Sequence, residues 1–254
     1  MSVLAQQDFE EGTNGTTVST GNSGGGPGSS NAFNGIGSGT GTTEVFDSST
    51  ALNGSLSGKV AVGTTSAAAN FQWSSTQLGT ISAVSFGRAA FNISSLTMTG
   101  DALIAFLTGT TFGGGIQLGG LTSGKLNFQN TAFSQTNTFT TTISINTWYR
   151  IEWQITPGAS AAGNLVAKLF LGNSTSPLET QTSTTGVYGS ATTWNAARFG
   201  WGAAGANHAN QPALNFDDLQ LNTDGFPGPN LPAATASTRP VVAPSTACVQ
   251  ASTW

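Results

Sequence analysis

Few residues in this sequence belong to the types that carry enzyme chemistry. His208 is the single histidine and Cys248 is the single cysteine. A disulfide within the chain and a cysteine-built metal site are therefore excluded, and a histidine-centred catalytic device would depend on one residue. His208 lies in the stretch 206–210, which carries no catalytic motif. A Ser-His-Asp arrangement is not indicated.

The carboxylates do not suggest hydrolysis either. A retaining glycoside hydrolase needs two carboxyl groups ~5 Å apart. Glu152 is the one acid within the most strongly alternating segment, and its neighbours on the same side of a strand would be Arg150 and Gln154. This pattern favours a surface ion pair between Arg150 and Glu152. We therefore predict that the chain is not an enzyme and requires no cofactor.

The charge content excludes two classes of partner. Only 7% of the residues are charged, with 11 acids against 7 bases, compared with ~25% charged residues in ordinary soluble domains. Without a cluster of Lys or Arg, the chain cannot neutralise a run of phosphates, so we expect neither nucleic acid nor an anionic membrane as a partner. The first eight residues lack the basic and apolar regions of a signal peptide, so we expect synthesis in the cytoplasm without export.

The elements that must position any site follow a period of two. Apolar residues alternate with polar ones in 139–145, in 149–155 and in 165–171, and the Pro and Gly residues of 157–164 predict a hairpin between the last two. The apolar phase changes at Gly87 and again at Asp217–Asp218, and each change predicts a β-bulge. Further predicted strands are 58–62, 83–93, 102–108, 115–118, 125–129, 198–202 and 214–221.

Many short strands with Gly-rich turns and no crossover helices predict an all-β fold, an antiparallel two-sheet β-sandwich of the jelly-roll kind. Residues 1–7 form an N-terminal lead-in and 8–226 form the sandwich. Residues 20–43 are rich in Gly, Ser, Asn and Thr and predict a long surface loop. Residues 227–254 are rich in Pro, Ala, Ser and Thr, which indicates an extended segment that acts as a tether or becomes ordered against a partner.

Four short motifs carry a resemblance to a known family. They are Asp-Phe-Glu-Glu-Gly at 8–12, Asn-Thr-Trp-Tyr-Arg-Ile-Glu at 146–152, Phe-Asp-Asp-Leu-Gln-Leu at 216–221 and Gly-Phe-Pro-Gly-Pro at 225–229. Their order resembles the concanavalin A-like (laminin-G-like) jelly-roll proteins, in particular the virion structural proteins of phages that infect actinobacteria, of the minor tail or head-decoration type. The resemblance covers about residues 8–229. It implies a place on the particle surface, with other virion proteins as partners and a homo-oligomeric assembly.

The resemblance also implies a calcium site, and it allows the sequence to be compared with the catalytic motif of the related glucanases. Carbohydrate-binding jelly rolls often hold a structural calcium between the first and last strands, and the matching positions here would make Glu10 and Asp217 its side-chain ligands. In the alternative interpretation, Asp217 and Asp218 cap a bend and face solvent. The glucanases of this superfamily carry Glu-x-Asp-x-x-Glu on one strand, and this spacing is absent here.

Sugar binding would require exposed aromatic rings supported by amides. The best candidate cluster combines Tyr188, Trp194, Asn195 and His208. The alternative is that the tryptophans belong to the core, where this residue type is usually found.

Two functions from different classes stay open at this point. The first is a non-enzymatic structural protein of a phage particle, presenting a jelly-roll domain with a weak affinity for glycans of the host cell surface. The second is a carbohydrate-binding, lectin-like module whose main task is recognition.

Overall fold

The computed structural model describes residues 2–25, 30–64, 68–98, 101–108, 111–118, 124–129, 135–158, 163–183, 193–202 and 210–230, with the side chains of 101, 102, 135 and 136 excepted. Within these ranges, fifteen strands and one short helix follow one another. They are β1 (Val3–Gln7), β2 (Gly35–Gly37), β3 (Thr42–Asp47), β4 (Ser57–Val62), β5 (Ala69–Trp73), α1 (Ser75–Leu78), β6 (Ser85–Ile93), β7 (Asp101–Thr108), β8 (Thr111–Leu118), β9 (Leu126–Gln129), β10 (Gln135–Thr136), β11 (Tyr149–Thr156), β12 (Asn164–Leu171), β13 (Glu179–Ser183), β14 (Ala196–Trp201) and β15 (Gln211–Asn222).

The strands form two antiparallel sheets, which confirms the predicted β-sandwich. The eight-stranded sheet has the order β13-β12-β11-β6-β15-β4-β3, and β1 adds to β15. The seven-stranded sheet has the order β10-β9-β8-β7-β14-β5-β2. No helix in the described ranges is both long and apolar enough to cross a membrane.

The core lies between the inner faces of the two sheets. The alternation of β11 places Tyr149, Ile151, Trp153 and Ile155 inward, and all four are buried. The Trp153 ring lies 5.7 Å from the ring of Phe106 on the opposite sheet. Such aromatic contacts join the two sheets across the sandwich, and they explain how a weakly charged, Gly-rich chain buries enough apolar surface to fold.

The predicted strand 139–145 is wrong. Phe139 and Ile143 are buried as the alternation requires, but Ile145 is 48% exposed. The segment makes one isolated bridge, Lys125↔Thr142, in place of a ladder. The physical reason is that the backbone N–H groups of Thr140 and Thr141 donate to the carboxylate of Glu179 and not to a neighbouring strand.

The two phase changes have different causes. The pairing of β6 with β11 runs without a shift from Ser85 to Phe91, so the bulge predicted at Gly87 is wrong. A Cβ on Gly87 would lie 2.2 Å from the Trp153 ring, which shows that glycine is needed to let this ring pack. The bulge at Asp217–Asp218 is confirmed, because the β15–β6 register shifts there and Asp218 has a φ of 50°.

The Gly-rich stretch 20–43 is not entirely a surface loop. Phe33 is 1% exposed, and its ring stacks on that of Phe71 at 5.1 Å. Residues 35–37 form β2, and β3 begins at Thr42. One aromatic side chain therefore anchors a tract whose composition alone predicts a loop.

The C-terminal segment that follows β15 lies on the outer face of the eight-stranded sheet. The Phe226 ring lies 5.4 Å from that of Phe86, and Arg88 Nη1 donates to the Gly228 carbonyl at 2.8 Å. Residues 231–254, most of the predicted extended segment, lie outside the described residues.

Candidate functional site

The outer face of the seven-stranded sheet carries a row of amide side chains and one guanidinium. They alternate with core residues: Asn70 and Gln72 flank the buried Phe71, and Asn127 and Gln129 flank the buried Phe128. We call this surface the amide face. Its polar residues are Asn70, Gln72, Gln117, Asn127, Gln129 and Arg198, presented by β5, β8, β9 and β14.

Arg198 is fixed on the amide face by its cross-strand neighbour. Arg198 pairs with Gln72 in the β14–β5 register, and its Nε donates to Gln72 Oε1 at 2.6 Å. Burial lowers the pKa of the Arg198 guanidinium, but this group stays charged at neutral pH. The sheet therefore holds a partly buried positive charge in a set orientation.

The amides next to Arg198 are also held by the sheet. Asn70 Nδ2 donates to the Trp201 carbonyl at 3.0 Å. Gln117 lies opposite Asn127 in the β8–β9 register. Gln117 is 6% exposed, and its Oε1 accepts no hydrogen bond within the described part of the chain. A buried acceptor without a partner is uncommon in a folded protein.

Small residues give the amide face its shape. Gly35, Gly37, Ala105, Gly115 and Gly200 occupy the positions beside the amides in the strand registers. A Cβ on Gly37 would lie 2.6 Å from the Asn70 side chain, so glycine leaves room for this amide. The result is a shallow groove of about 220 Å³ whose lining includes Asn70, Gln72 and Arg198.

The charge on the amide face is positive. Lys125 directly precedes β9 and by alternation lies on the same side as Asn127, so it adds a second cation to this face, three strands away from Arg198. The described side chains of this face include no carboxylate. Every Asp and Glu of the chain except Asp101 lies on or next to a strand of the eight-stranded sheet. The side chain of Asp101, on β7, is outside the described residues.

The outer face of the eight-stranded sheet is different because its charges are paired and covered. Arg150 and Glu152 form the predicted ion pair, with Nε and Oε1 2.8 Å apart. The predicted location is wrong, since the side chains are only 1% and 3% exposed. Arg150 also donates to the carbonyls of Gly172 and Ser174, so the loop that follows β12 covers the pair.

Asp217 and Asp218 are buried at the bulge of β15. Asp217 accepts hydrogen bonds from the N–H groups of Leu52 and Asn53 at 2.8 and 3.1 Å. Burial and then the neighbouring charge of Asp218 raise the pKa of Asp217 well above its ordinary value. Burial also raises the pKa of Asp218, although Asn230, Arg88 and Asn53 oppose the shift. The alternative that these acids face solvent is therefore wrong.

The geometry does not fit a calcium ion held by Glu10 and Asp217. The Glu10 carboxylate accepts the N–H groups of Ser55 and Leu56 at 2.9 and 2.8 Å. The backbone N–H groups of loop 52–56 thus donate to the carboxylates of both Glu10 and Asp217. A calcium ion bound to these carboxylate oxygens would be repelled by the positive ends of the same N–H groups. Within the described residues, no group of three or more His, Cys, Asp or Glu side chains could hold a metal ion.

A larger pocket, of about 370 Å³, lies beside the C-terminal segment. Its lining includes Asp8, Arg88, Asp218 and Asn230. Arg88 donates to the carbonyls of Asp218 and Gly228, and Asn230 donates to the Asp218 carboxylate. These hydrogen bonds hold the C-terminal segment against the sheet, so the polar residues of this pocket serve the packing of the protein.

The predicted sugar-binding cluster is not brought together as expected. Trp194 is 3% exposed, and its ring packs against that of Phe106 at 5.4 Å. The prediction that Trp194 stacks on a sugar is wrong, because its ring is buried in the core. Asn195 is half-buried and its backbone N–H donates to the Leu107 carbonyl. Tyr188 and His208 lie outside the described residues.

The sequence interpretation missed the amide face. The signal was present in the two stretches 70–73 and 126–129, where amides alternate with buried Leu, Phe or Trp. Neutral amides that alternate with apolar residues on a strand do not indicate a site by themselves. Only the sheet order shows that these stretches, together with Gln117 and Arg198, share one face.

Comparison with known proteins identifies the fold. No protein-family model matches the chain, and no curated protein does. Among solved structures, an endo-β-1,4-glucuronan lyase from the fungus Trichoderma reesei is similar with a TM-score of 0.57 at 11% identity, covering 76% of this chain and 92% of that one. A marine PL-14 alginate lyase from Aplysia kurodai has a TM-score of 0.57 at 9% identity, covering 88% and 100%. A carbohydrate esterase from the Shiga toxin-encoding bacteriophage phi24B has a TM-score of 0.51 at 14% identity, covering 88% and 99%.

These similarities are consistent with the predicted concanavalin A-like jelly roll, and they correct one prediction. The prediction that the chain is not an enzyme is contradicted, because neighbours with the same fold are lyases and an esterase. The prediction rested on the lack of a carboxylate pair and of a histidine-centred triad in the sequence. Both are requirements of particular hydrolytic mechanisms and do not cover the reactions that this sandwich supports.

Proposed function

We propose that this chain is a carbohydrate-active jelly-roll protein that binds an acidic polysaccharide along the amide face. The observation that carries the proposal is the combination of a fixed guanidinium, a row of amides and no described carboxylate on one sheet surface. Each component has a counterpart in a chain of uronic acid units.

Arg198 provides the charge recognition. A guanidinium can donate two parallel hydrogen bonds to a carboxylate, and Gln72 already holds this one in place. The amide of Gln72, which lines the groove together with Arg198, has both donor and acceptor atoms that sugar hydroxyls can pair with. Gly35 and Gly37 line the groove beside these side chains and leave room for a sugar unit.

The solved structures with this fold support the substrate class. The alginate lyase and the glucuronan lyase are named for polymers of uronic acids. Uronate carboxylates are the groups that a face with two cations and no described carboxylate would attract.

Binding is tested by calorimetric titration of the protein with oligomers of alginate and of glucuronan. Arg198→Gln should weaken binding at least about tenfold, since a charge-assisted hydrogen bond is lost. Lys168→Gln, which removes a cation from the other sheet, is the matched control and should bind like the wild type. Equal affinity of the Arg198 variant, or no binding of either oligomer by the wild type, would overturn the proposal. Gln72→Ala, which removes the partner that orients Arg198, provides a second variant if Arg198→Gln fails to fold.

The same incubations are assayed for shortened chains with unsaturated ends. An eliminating enzyme must neutralise the uronate carboxylate and remove a proton next to it, and Arg198 is placed to meet the first requirement. Chain cleavage lost in Arg198→Gln would add lyase activity to the binding function.

We further propose that the protein belongs to a phage particle. It would be attached through residues 227–254, assembled as a symmetric oligomer and oriented so that the amide face meets glycans of the host surface. The motif resemblance and the fold of the phage esterase support this assignment. Mass spectrometry of purified particles should detect the protein at a stoichiometry that matches a symmetry of the head or tail. A stable monomer that is absent from the particles would contradict this assignment.

A further inference from the structure

A second polar groove lies on the outer face of the eight-stranded sheet, opposite the amide face. Its volume is about 360 Å³, within the ~300–1,000 Å³ range of small-molecule sites. Strands β3, β4, β6 and β15 form its floor, and the loops that contain Thr50 and Asn146 form its rim.

The floor is a row of side chains set by the strand registers. Asn92 on β6 lies opposite Asn215 on β15, and Asn215 lies opposite Lys59 on β4. Asn92 and Asn215 are only 6% and 5% exposed. Two buried amides and an ammonium group therefore lie side by side at the bottom of the groove.

The amide of Asn215 is oriented by the protein. Its Nδ2 donates to Asp47 Oδ2 at 3.0 Å and to Ser57 Oγ at 2.9 Å. The structure gives no hydrogen bond to Asn215 Oδ1 from the described residues, and none to either side-chain atom of Asn92. Buried amides normally have partners in the protein. Both residues line the groove. The Asn92 amide and Asn215 Oδ1 are therefore placed to form hydrogen bonds with a ligand there.

The floor carries no net charge. Lys59 Nζ lies 3.4 Å from Asp47 Oδ2. Although burial opposes ionisation, hydrogen bonds from Asn215 and Ser49 and the charge of Lys59 lower the pKa of Asp47. Asp47 is therefore ionised and balances Lys59, so the groove suits a neutral ligand.

An aromatic side chain stands at the rim. The indole Nε1 of Trp148 donates to Oγ1 of Thr50, a wall residue, at 3.1 Å. Trp148 is half-buried. An aromatic side chain beside amides and hydroxyls can offer its ring face to sugar C–H groups while the amides meet sugar hydroxyls.

We propose that this groove binds a neutral sugar unit, with Asn92 and Asn215 hydrogen-bonded to its hydroxyls. The site differs from the amide face in location, charge and ligand class. It does not depend on the proposed function, because none of its residues lies on the seven-stranded sheet.

The test is a titration of the full chain with methyl glycosides of glucose, galactose, mannose and N-acetylglucosamine, followed by the NMR signals of the asparagine side-chain amides. At least one glycoside should shift the Asn92 and Asn215 signals in a saturable manner. Asn92→Ala should bind that glycoside about tenfold more weakly. Gln220→Ala removes a buried amide from the same β15 strand outside the groove, and it should bind like the wild type.

Asn92→Ala should fold normally, because Asn92 makes no side-chain hydrogen bond in the described residues; a thermal melt checks this. Arg198→Gln should retain glycoside binding even when acidic oligomers no longer bind, which separates the two proposals. Unchanged Asn92 signals with all four glycosides, unchanged affinity of Asn92→Ala, or loss of glycoside binding in Arg198→Gln would each overturn the proposal. If Asn92→Ala does not fold, contacts between the glycoside ring and Asn92 in the wild-type spectrum decide it.

Discussion

Arg150 lies among the largest fully buried side chains of the protein. Its Nε donates to Glu152, its Nη1 and Nη2 donate to two backbone carbonyls, and its Cζ lies 4.2 Å above the Phe170 ring. A guanidinium removed from water needs these partners, because an uncompensated charge inside a protein is costly. Glu152 supplies the compensating negative charge.

We predict that Glu152→Ala lowers the free energy of unfolding by about 3–5 kcal/mol, because it leaves Arg150 as a buried charge without its counter-ion. Urea denaturation monitored by tryptophan fluorescence measures the change. Gln154→Ala alters a half-buried polar residue on the same face of β11 and should change stability by roughly 1 kcal/mol or less. A similarly small loss for Glu152→Ala would show that Arg150 does not depend on this carboxylate.

Glu179 controls stability in acid. Burial would raise the pKa of its carboxyl, but hydrogen bonds from the Thr140 N–H, the Gln181 amide, and the N–H and hydroxyl of Thr141 lower the pKa from 4.5 to about 2. A group whose pKa is lowered by folding stabilises the protein above the unfolded value. This stabilisation is lost as the pH falls through the value in the folded state.

We therefore predict that the wild type loses stability between pH 4.5 and pH 2 more steeply than Glu179→Gln does. The measurement is the urea midpoint of both proteins across this range. The raised pKa values of Asp217 and Asp218 act in the opposite direction, since their stabilising protonation is lost as pH rises. Asp217 and Asp218 are present in both the wild type and Glu179→Gln, so the difference between the two pH profiles is due to Glu179. Parallel pH profiles would contradict the assigned role.

At the scale of elements, the alternation of apolar and polar residues predicts a strand well where the segment pairs with a neighbouring strand on each side. Strands β11 and β12 match their predicted bounds within a residue or so, because one face of each is buried and fixes the register. Segment 139–145 has the same alternation but lies at the edge of the sheet. There the N–H groups of Thr140 and Thr141 donate to Glu179. Sequence periodicity reports which side chains are buried and does not report where backbone hydrogen bonds go.

The C-terminal segment is an element without regular structure that nevertheless contributes packing. The Phe226 ring lies against Phe86, and Lys168 Nζ lies 3.8 Å above it. This cover also explains the apolar phase change near Gly87, since Phe86 faces outward beneath Phe226.

We predict that Phe226→Ala lowers the free energy of unfolding by about 1–2 kcal/mol, through lost apolar burial and a lost cation–π contact. Urea denaturation measures it. Leu178→Ala removes a side chain that is 50% exposed and serves as the control, with a smaller effect. If the two variants are equally stable, the segment does not pack on the sheet in solution.

At the scale of the whole molecule, the two outer faces have different charge. The chain has a net charge of −4, yet the amide face presents Arg198 and Lys125 without a described carboxylate. We therefore expect a negatively charged polymer to approach this face, although the protein is acidic overall.

The sandwich could be predicted from the sequence, and its candidate site could not. Gln72, Gln117, Asn127 and Arg198 are far apart along the chain, and each is an ordinary residue by itself. They come together because β5, β14, β8 and β9 belong to one sheet with a particular strand order. Trp194 drew attention by its type, and that same apolar character places it in the core.

The most direct test of acidic-polysaccharide binding is a map of where an alginate oligomer contacts the wild-type protein, obtained from perturbed NMR signals of backbone amides and of the arginine Nε groups. We expect the largest changes on β5, β8, β9 and β14, with the Arg198 Nε signal among them and that of the buried Arg150 unchanged. Perturbations centred on the eight-stranded sheet, or none at saturating oligomer, would contradict the account.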